Sequence, residues 1–294
     1  MDAKNGARLG VDIGGTFTDV ALEVGGKRYT SKILTTTQAP EEGVLEAVRM
    51  ALAEAKLAPA ALDVIIHGTT LATNALIERK GPPTALITTE GFRDVIEIRH
   101  ENRFEQYDVN IDLPPPLVPR RWRHGVKERI DAQGQVLIPL DEASLASALE
   151  DIERQGIKSI AVGFLHSFTN PVHERRVREV IAKRLPSVTV TLSSEVSPEM
   201  REYERFSTAC ANAYVQPLMG RYLRKLEDGL RSKGFRCPLF LMSSGGGLTT
   251  VETAIRFPVR LVESGPAGGA IFASHIAKLC DLDKVISFDM GGTT

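Results

Sequence analysis

Two aspartates, each followed by a Gly-Gly-Thr turn, stand at opposite ends of a chain of 294 residues: Asp12-Ile-Gly-Gly-Thr-Phe-Thr-Asp19 and Asp289-Met-Gly-Gly-Thr-Thr294. These residue types suit phosphate and a divalent cation. Glycine lets the backbone come close enough to aim N–H groups at a phosphate, a Thr hydroxyl adds a donor, and an Asp at a strand end can orient a metal-bound water. Gly14, Gly15, Thr16 and Thr18 are therefore expected to contact phosphate, with Asp12 acting on magnesium through water. Asp289, Gly291, Gly292 and Thr293 are expected to do the same from the opposite side. A single such motif is weak; the pair implies a nucleotide phosphate held between two lobes, with Asp12 and Asp289 as the catalytic and metal-orienting residues.

The elements that must position these loops follow from the apolar pattern. Arg8–Ile13, Val20–Val24 and Tyr29–Leu34 read as strands of a β-meander with turns at Gly14-Gly15 and Gly25-Gly26, and Lys284–Phe288 reads as the strand before the second motif. Pro40 opens a helix to Lys56, with Glu41 and Glu42 in its first turn. Strand and helix then alternate: 63–67, 72–79, 84–88, 140–155, 159–164, 171–184 and 188–192. This spacing predicts α/β layers around a central sheet. Residues 200–230 predict a helix kinked or divided at Pro217, 238–242 a strand, 243–247 a sharp turn, and 263–279 a helix. Residues 100–123, with Pro114, Pro115, Pro116 and Pro119, form a long loop in which arginines alternate with Phe104, Tyr107 and Trp122. A substrate or subunit-contact role suits that loop better than nucleic acid, because the whole chain carries a formal charge of only −1.

Composition excludes several classes. With 43% hydrophobic and 25% charged residues the chain has a globular profile. Cys210, Cys237 and Cys280 are too few and too scattered for a disulfide framework or a zinc ribbon, which fits a reducing cytoplasm. No export signal and no apolar run long enough to span a membrane is visible.

The two phosphate motifs resemble those of the actin, sugar-kinase and heat-shock-chaperone ATPase superfamily, and 263–279 occupies the place of that superfamily's small-residue connecting helix. More specifically, the chain resembles the N-terminal part of the hydantoinase A and 5-oxoprolinase family. The likeness rests on Gly10–Asp19, His67-Gly-Thr-Thr-Leu-Ala-Thr-Asn74 continuing to Gly81, Leu86–Val95, Arg201-Glu-Tyr-Glu-Arg205, Asn212–Pro217, Ser264-Gly-Pro-Ala-Gly-Gly269 and the last six residues. It implies an α/β fold, an actin-like ATPase (ribonuclease H-like) lobe with a mixed central sheet flanked by helices, the second lobe truncated. The implied regions are 7–187, carrying the first phosphate loop, and 200–294, the start of the core region. The implied activity is ATP- and Mg2+-dependent opening of a small cyclic amide, a hydantoin, 5-oxoproline or related lactam, by phosphorylation of the amide oxygen. The implied partner is a hydantoinase B-type subunit in a hetero-oligomer, with neither nucleic acid nor membrane involved.

Similar motifs occur in acetone and acetophenone carboxylase subunits, which keeps ATP-dependent carboxylation open. A truncated, non-catalytic lobe acting only in assembly is the third reading. Four residues carry tentative substrate roles beside plainer ones. His67 ends a strand and reads either as a contact or as a core histidine; Thr69 and Thr70 could receive an anion or cap the helix that follows. Arg201 offers a bidentate fork to a substrate carboxylate, or pairs with Glu204 on a solvated helical turn. His166 and His173 make a weak metal signal, and 243–247 reads as an N–H nest or a plain turn.

Overall fold

The computed structural model describes residues 6–36, 38–100 and 105–290. They divide into two compact units, one from Met1–Glu78 with Leu218–Thr294, the other Arg79–Pro217.

The first unit begins with β1 (Arg8–Ile13), β2 (Phe17–Val24) and β3 (Lys27–Leu34), then α1 (Pro40–Ala55), β4 (Val64–Thr69) and α2 (Leu71–Ile77). Alternation decides the faces. Leu9, Val11 and Ile13 of β1 and Val20 and Leu22 of β2 are buried, on the face where α1 packs with Val44, Ala47, Val48, Ala51 and Leu52. α1 starts with Pro40 at its first turn beside Glu41 and Glu42 and stops at Lys56, which is left-handed at φ +52°.

The chain then builds the second unit: β5 (Thr84–Thr89), a short α3 (Val95–Ile98), β6 (Arg123–Val126), the hairpin β7 (Arg129–Ile130) and β8 (Val136–Ile138), α4 (Glu142–Arg154), β9 (Ser159–Gly163), α5 (Val172–Arg184), β10 (Thr189–Leu192), α6 (Ser193–Val196) and the start of α7 (Glu202–Ser232). Its sheet runs β10-β9-β5-β6, parallel throughout. Every residue of β5 and of β9 is buried, as expected for strands covered on both faces. Ile87, Leu145, Leu149, Ile152, Val162 and Val177 form the heart of this core.

The chain returns to the first unit with the second half of α7, then β11 (Leu239–Met242), β12 (Leu248–Thr250), α8 (Val251–Arg256) and α9 (Ser264–Leu279). The first sheet is thereby completed in the order β12-β11-β4-β1-β2-β3. β11, β4 and β1 are parallel and the outer strands antiparallel, so the mixed α/β architecture is as expected. No helix among the described residues is long and apolar enough to cross a membrane.

Four sequence expectations change. Alternation after residue 80 feeds a second sheet rather than enlarging one central sheet. Residues 284–288 form no strand; no described strand lies beside them, and Ile286 and Phe288 are 94% and 85% exposed. The turn at 243–247 joins β11 to β12 in a hairpin, with Ser243 N bonded to Gly247 O at 2.9 Å and Gly246 N to Ser243 O at 2.9 Å, so it is a plain turn and not an N–H nest. Pro217 lies inside one continuous α7, so of the two readings the division falls.

The fourth difference has a local cause. Proline at 217 removes the N–H that would bond the carbonyl of Ala213 one turn earlier. Ser159, wholly buried at the start of β9, donates its hydroxyl to that carbonyl at 2.6 Å. A side chain from the sheet thus repairs the gap in the helix. Ser159→Ala is expected to destabilise the second unit by about 1–3 kcal/mol through the orphaned carbonyl. Urea unfolding followed by far-UV circular dichroism measures this, and an unchanged midpoint would show that the helix tolerates the gap unaided.

Candidate functional site

The register of four strands creates the site. Asp12 of β1 pairs with Gly68 of parallel β4 on one side and Asp19 of antiparallel β2 on the other. Asp19 in turn pairs with Lys32 of β3. Gly68, Asp12, Asp19 and Lys32 therefore form a row across the sheet, on the face opposite α1 and along one wall of a cavity of about 930 Å3. Gly68 is glycine for reasons of space: a Cβ there would sit 3.1 Å from Asp12 Oδ1.

Asp12 is open to solvent at the cavity surface. The surrounding walls still strip away enough water for desolvation to be the largest cause holding its carboxyl above the ordinary 3.8. The charges of Asp19 and Asp289 push in the same direction, and Lys32 opposes them. The structure thus brings the two motif aspartates within electrostatic reach of each other. Gly291, Gly292 and Thr293 lie outside the described residues.

The loop after β1 is held by its neighbours. Gly14 N donates to Phe17 O at 2.9 Å, Thr35 N donates to Thr16 O at 2.9 Å, and Thr35 Oγ1 donates to Gly14 O at 3.0 Å. Gly15 and Thr16 are exposed and Gly14 is half-buried. Neither glycine takes the left-handed conformation, so the Gly-Gly pair serves close approach rather than an unusual turn. Thr18 departs from expectation. It is wholly buried and shares a hydrogen bond with Thr35 Oγ1 at 3.1 Å. It braces the loop from beneath and does not face a ligand.

The opposite wall of the cavity includes Ser264, Gly265, Gly268, Gly269 and Phe272 of α9. Ser264 Oγ donates to Thr69 O at 3.4 Å, and Glu263 N donates to Thr73 Oγ1 at 3.3 Å, which ties the start of α9 to α2. Glu263 itself is left-handed at φ +64°. Farther along, α9 turns Ile271 and Leu279 outward, 49% and 69% exposed.

Thr69 takes the capping reading, whereas Thr70, the N-cap residue of α2, makes no side-chain cap bond. Thr69 is buried and its hydroxyl accepts from Leu71 N at 3.2 Å, while Thr70 donates its N–H and its hydroxyl to Ile13 O at 3.1 and 3.3 Å. Thr70 fastens the end of β1 to the start of α2. His67 is 1% exposed, with Nε2 2.7 Å from Tyr222 Oη and Nδ1 3.3 Å from Val11 O. Burial holds it down at about 4 and therefore neutral at physiological pH. It is a core histidine whose ring nitrogens face Val11 and Tyr222 and which does not line the cavity, so the structural reading replaces the substrate role.

Arg201 lies in the second unit, its side chain 70% exposed and 3.6 Å from Glu204 Oε1. Arg205 of the same motif is structural: fully buried, it donates to the carbonyls of Phe164 and Glu199 at 2.9 Å each. Arginines in the loop, and Arg79 bonded to it, are likewise engaged. Arg120 makes a bidentate pair with Asp94 at 2.9 Å, Arg79 binds Pro115 O at 2.7 Å, and Arg123 binds Val118 O at 2.9 Å. Arg103 and Phe104 fall outside the described residues. His173 Nδ1 lies 2.8 Å from Glu128 Oε2. Among the described residues no group of three or more His, Cys, Asp or Glu side chains is placed to hold a metal ion. Magnesium is still compatible with the cavity, since it is usually held by one or two carboxylates together with water and substrate phosphate, and the crowded carboxylate of Asp12 is one that a cation would relieve.

Two family models match. Residues 8–185 fit the hydantoinase/oxoprolinase N-terminal region and 205–294 fit hydantoinase/oxoprolinase. The chain is 36% identical to the caprolactamase subunit alpha of Pseudomonas jessenii, over 99% of this chain and 43% of that subunit. The crystal structure of the ATP-dependent caprolactamase from that organism superposes with a TM-score of 0.85 at 35% identity, covering 97% of this chain and 42% of that one. A nucleotide-free acetone carboxylase, from a study of ATP-dependent acetone carboxylation, superposes with a TM-score of 0.86 at 27% identity, covering 94% and 41%. The chain thus spans under half the length of these relatives.

The electrostatics of Asp12 yield a measurable sign. A raised carboxyl pKa means that the folded state holds this proton more tightly than the unfolded chain does, so ionisation of Asp12 weakens the fold as pH rises above 3.8. Asp12→Asn is expected to raise the melting temperature at neutral pH and to match the parent below 3.8. Melting curves across this range check it; a stabilisation of equal size at every pH would assign the effect to packing instead.

Proposed function

Since the chain belongs to the hydantoinase/oxoprolinase family, we propose that the cavity beside Asp12 holds the phosphates of ATP and that the chain is the ATP-using part of an enzyme acting on a small cyclic amide. The observation that carries this reading is the position of Asp12: on the cavity face, between Gly68 and Asp19, with Asp289 within electrostatic reach. Exposed Gly15 and Thr16 supply phosphate donors, with Gly14 beside them, and Asp12 and Asp289 orient Mg2+ through water. The division into a 7–187 region and a core region starting at 200 belongs to the same reading and is supported by the two matched models.

The chemistry needs little more from the protein than position and charge. An amide carbonyl is a poor electrophile. Transfer of the γ-phosphoryl group to the amide oxygen, with ADP leaving, gives an activated imidate; water adds at its carbon, the C–N bond breaks with the ring nitrogen leaving as the amine, and a second water releases phosphate from the resulting acyl phosphate. The chain's residues orient phosphate and metal and hold carboxylates where charge is concentrated. Hydrolysis is completed with a B-type subunit in a hetero-oligomer, in a reducing cytoplasm. Arg201, on its own unit, is retained as a candidate for a substrate carboxylate because its fork is exposed and only loosely paired.

A second reading is favoured by one observation, the fit to the acetone carboxylase chain: the same phosphate site would then serve activation of a ketone enol or of bicarbonate. ADP release measured with 5-oxoproline, hydantoins, larger lactams, and ketones with bicarbonate separates the two. The 294-residue chain alone is expected to release no lactam-dependent ADP, acting by itself only as a binding lobe; turnover by the purified chain would sink that expectation. Binding tests the site directly. Gly68→Ala is expected to weaken MgATP binding by about tenfold, because the added methyl must displace the Asp12 carboxylate by a few tenths of an ångström. Isothermal titration checks it. A parent chain with no affinity for MgATP at millimolar concentration removes the nucleotide reading altogether.

A further inference from the structure

The cavity carries more negative than positive charge, which is a poor match to a polyphosphate. Asp12 and Asp19 both line it, and Lys32 is the single cation among its described lining residues. In the free chain Lys32 is occupied: Nζ lies 2.8 and 2.7 Å from the two carboxylate oxygens of Asp19 and 4.5 Å from the centre of the Phe17 ring. That pair is not a structural strut. Its side chains are 55% and 49% exposed, and exposed ion pairs contribute little to stability. The strand register nevertheless fixes Lys32 at the same level as Asp12, one strand beyond Asp19. A lysine on a flexible stem, lightly held beside a cavity whose other charged lining residues are Asp12 and Asp19, is suited to exchanging partners.

We propose that Lys32 is the phosphate-binding cation of this cavity, and that it binds by exchange: the ammonium leaves Asp19 for a phosphate oxygen of a nucleoside di- or triphosphate, and the accompanying divalent cation takes over the carboxylate side of the row. The proposal rests on the nucleotide reading of the cavity. It accounts for three features together: a row alternating in charge only at its end, an exposed pair with good geometry but little structural worth, and a carboxylate at Asp12 that has no ion pair among the described residues. Asp19 is on this account the holder of Lys32 in the free chain and a neighbour of the metal in the loaded one.

Isothermal titration of the full chain with MgATP, MgADP, metal-free ATP and adenosine tests the exchange, using the parent, Lys32→Met, Lys32→Arg and Asp19→Asn. Lys32→Met is expected to weaken MgATP and MgADP by about tenfold or more, to flatten the dependence of affinity on salt, and to leave adenosine binding unchanged, while Lys32→Arg restores most of the loss. Asp19→Asn is expected to strengthen metal-free ATP by about threefold or more, since the lysine is no longer held. The melting temperature of Lys32→Met stays at the parent value, which separates lost binding from lost fold. Equal affinity of Lys32→Met and parent for MgATP overturns the proposal while leaving the nucleotide reading standing. Weaker metal-free ATP binding in Asp19→Asn overturns the exchange, and a parent that binds none of the phosphates overturns both readings together.

Discussion

Everything at the cavity depends on the register of β1 between an antiparallel neighbour and a parallel one. Side chains alternate across a strand, so a slip by one residue would send Asp12 into the α1 core and turn Val11 or Ile13 toward the cavity. The burial of Leu9, Val11 and Ile13 forbids that slip. Hydrophobic packing on one face thus fixes the address of a charge on the other. The bracing around the loop continues the same logic, because Thr70 grips the last residue of β1 and Thr35 grips both Gly14 and Thr16.

Much of this was legible in the sequence because it is local. The β-meander, α1 with its proline start and the helices 142–154 and 172–184 announce themselves through periodicity and end signals. The partners in the row were not legible. Gly68 was visible only as a member of a His-Gly-Thr-Thr run, and its service to Asp12 arises from a strand more than fifty positions away. Lys32 gave no signal at all in a strand of alternating polarity. Thr18 deceives for the opposite reason: a threonine in a phosphate-type motif looks like a ligand contact until the pairing of β2 with β3 turns it inward against Thr35. The short strands at 123–126, 129–130, 136–138 and 248–250 lack the length from which a period can be read.

The histidine and arginines singled out by type also divide by burial. His67, between Val11 and Tyr222, and Arg205, among backbone carbonyls, are polar groups whose hydrogen bonds are spent inside the protein. Motif spacing cannot separate such residues from ligand contacts, since both roles demand polar side chains at fixed positions. Burial and partner identity separate them at once.

The repair of α7 at Pro217 carries a consequence for how such a sequence can change. Ser159 and Pro217 are coupled through the single carbonyl of Ala213, although α5, β10 and α6 lie between them in the chain. A proline arriving at 217 without a hydroxyl at 159 leaves a bare carbonyl in a dry interior, whereas a hydroxyl at 159 opposite an intact helix meets a carbonyl already in use. The easier order of events is therefore serine first and proline second, and loss in the reverse order: the proline must go before the serine can drift.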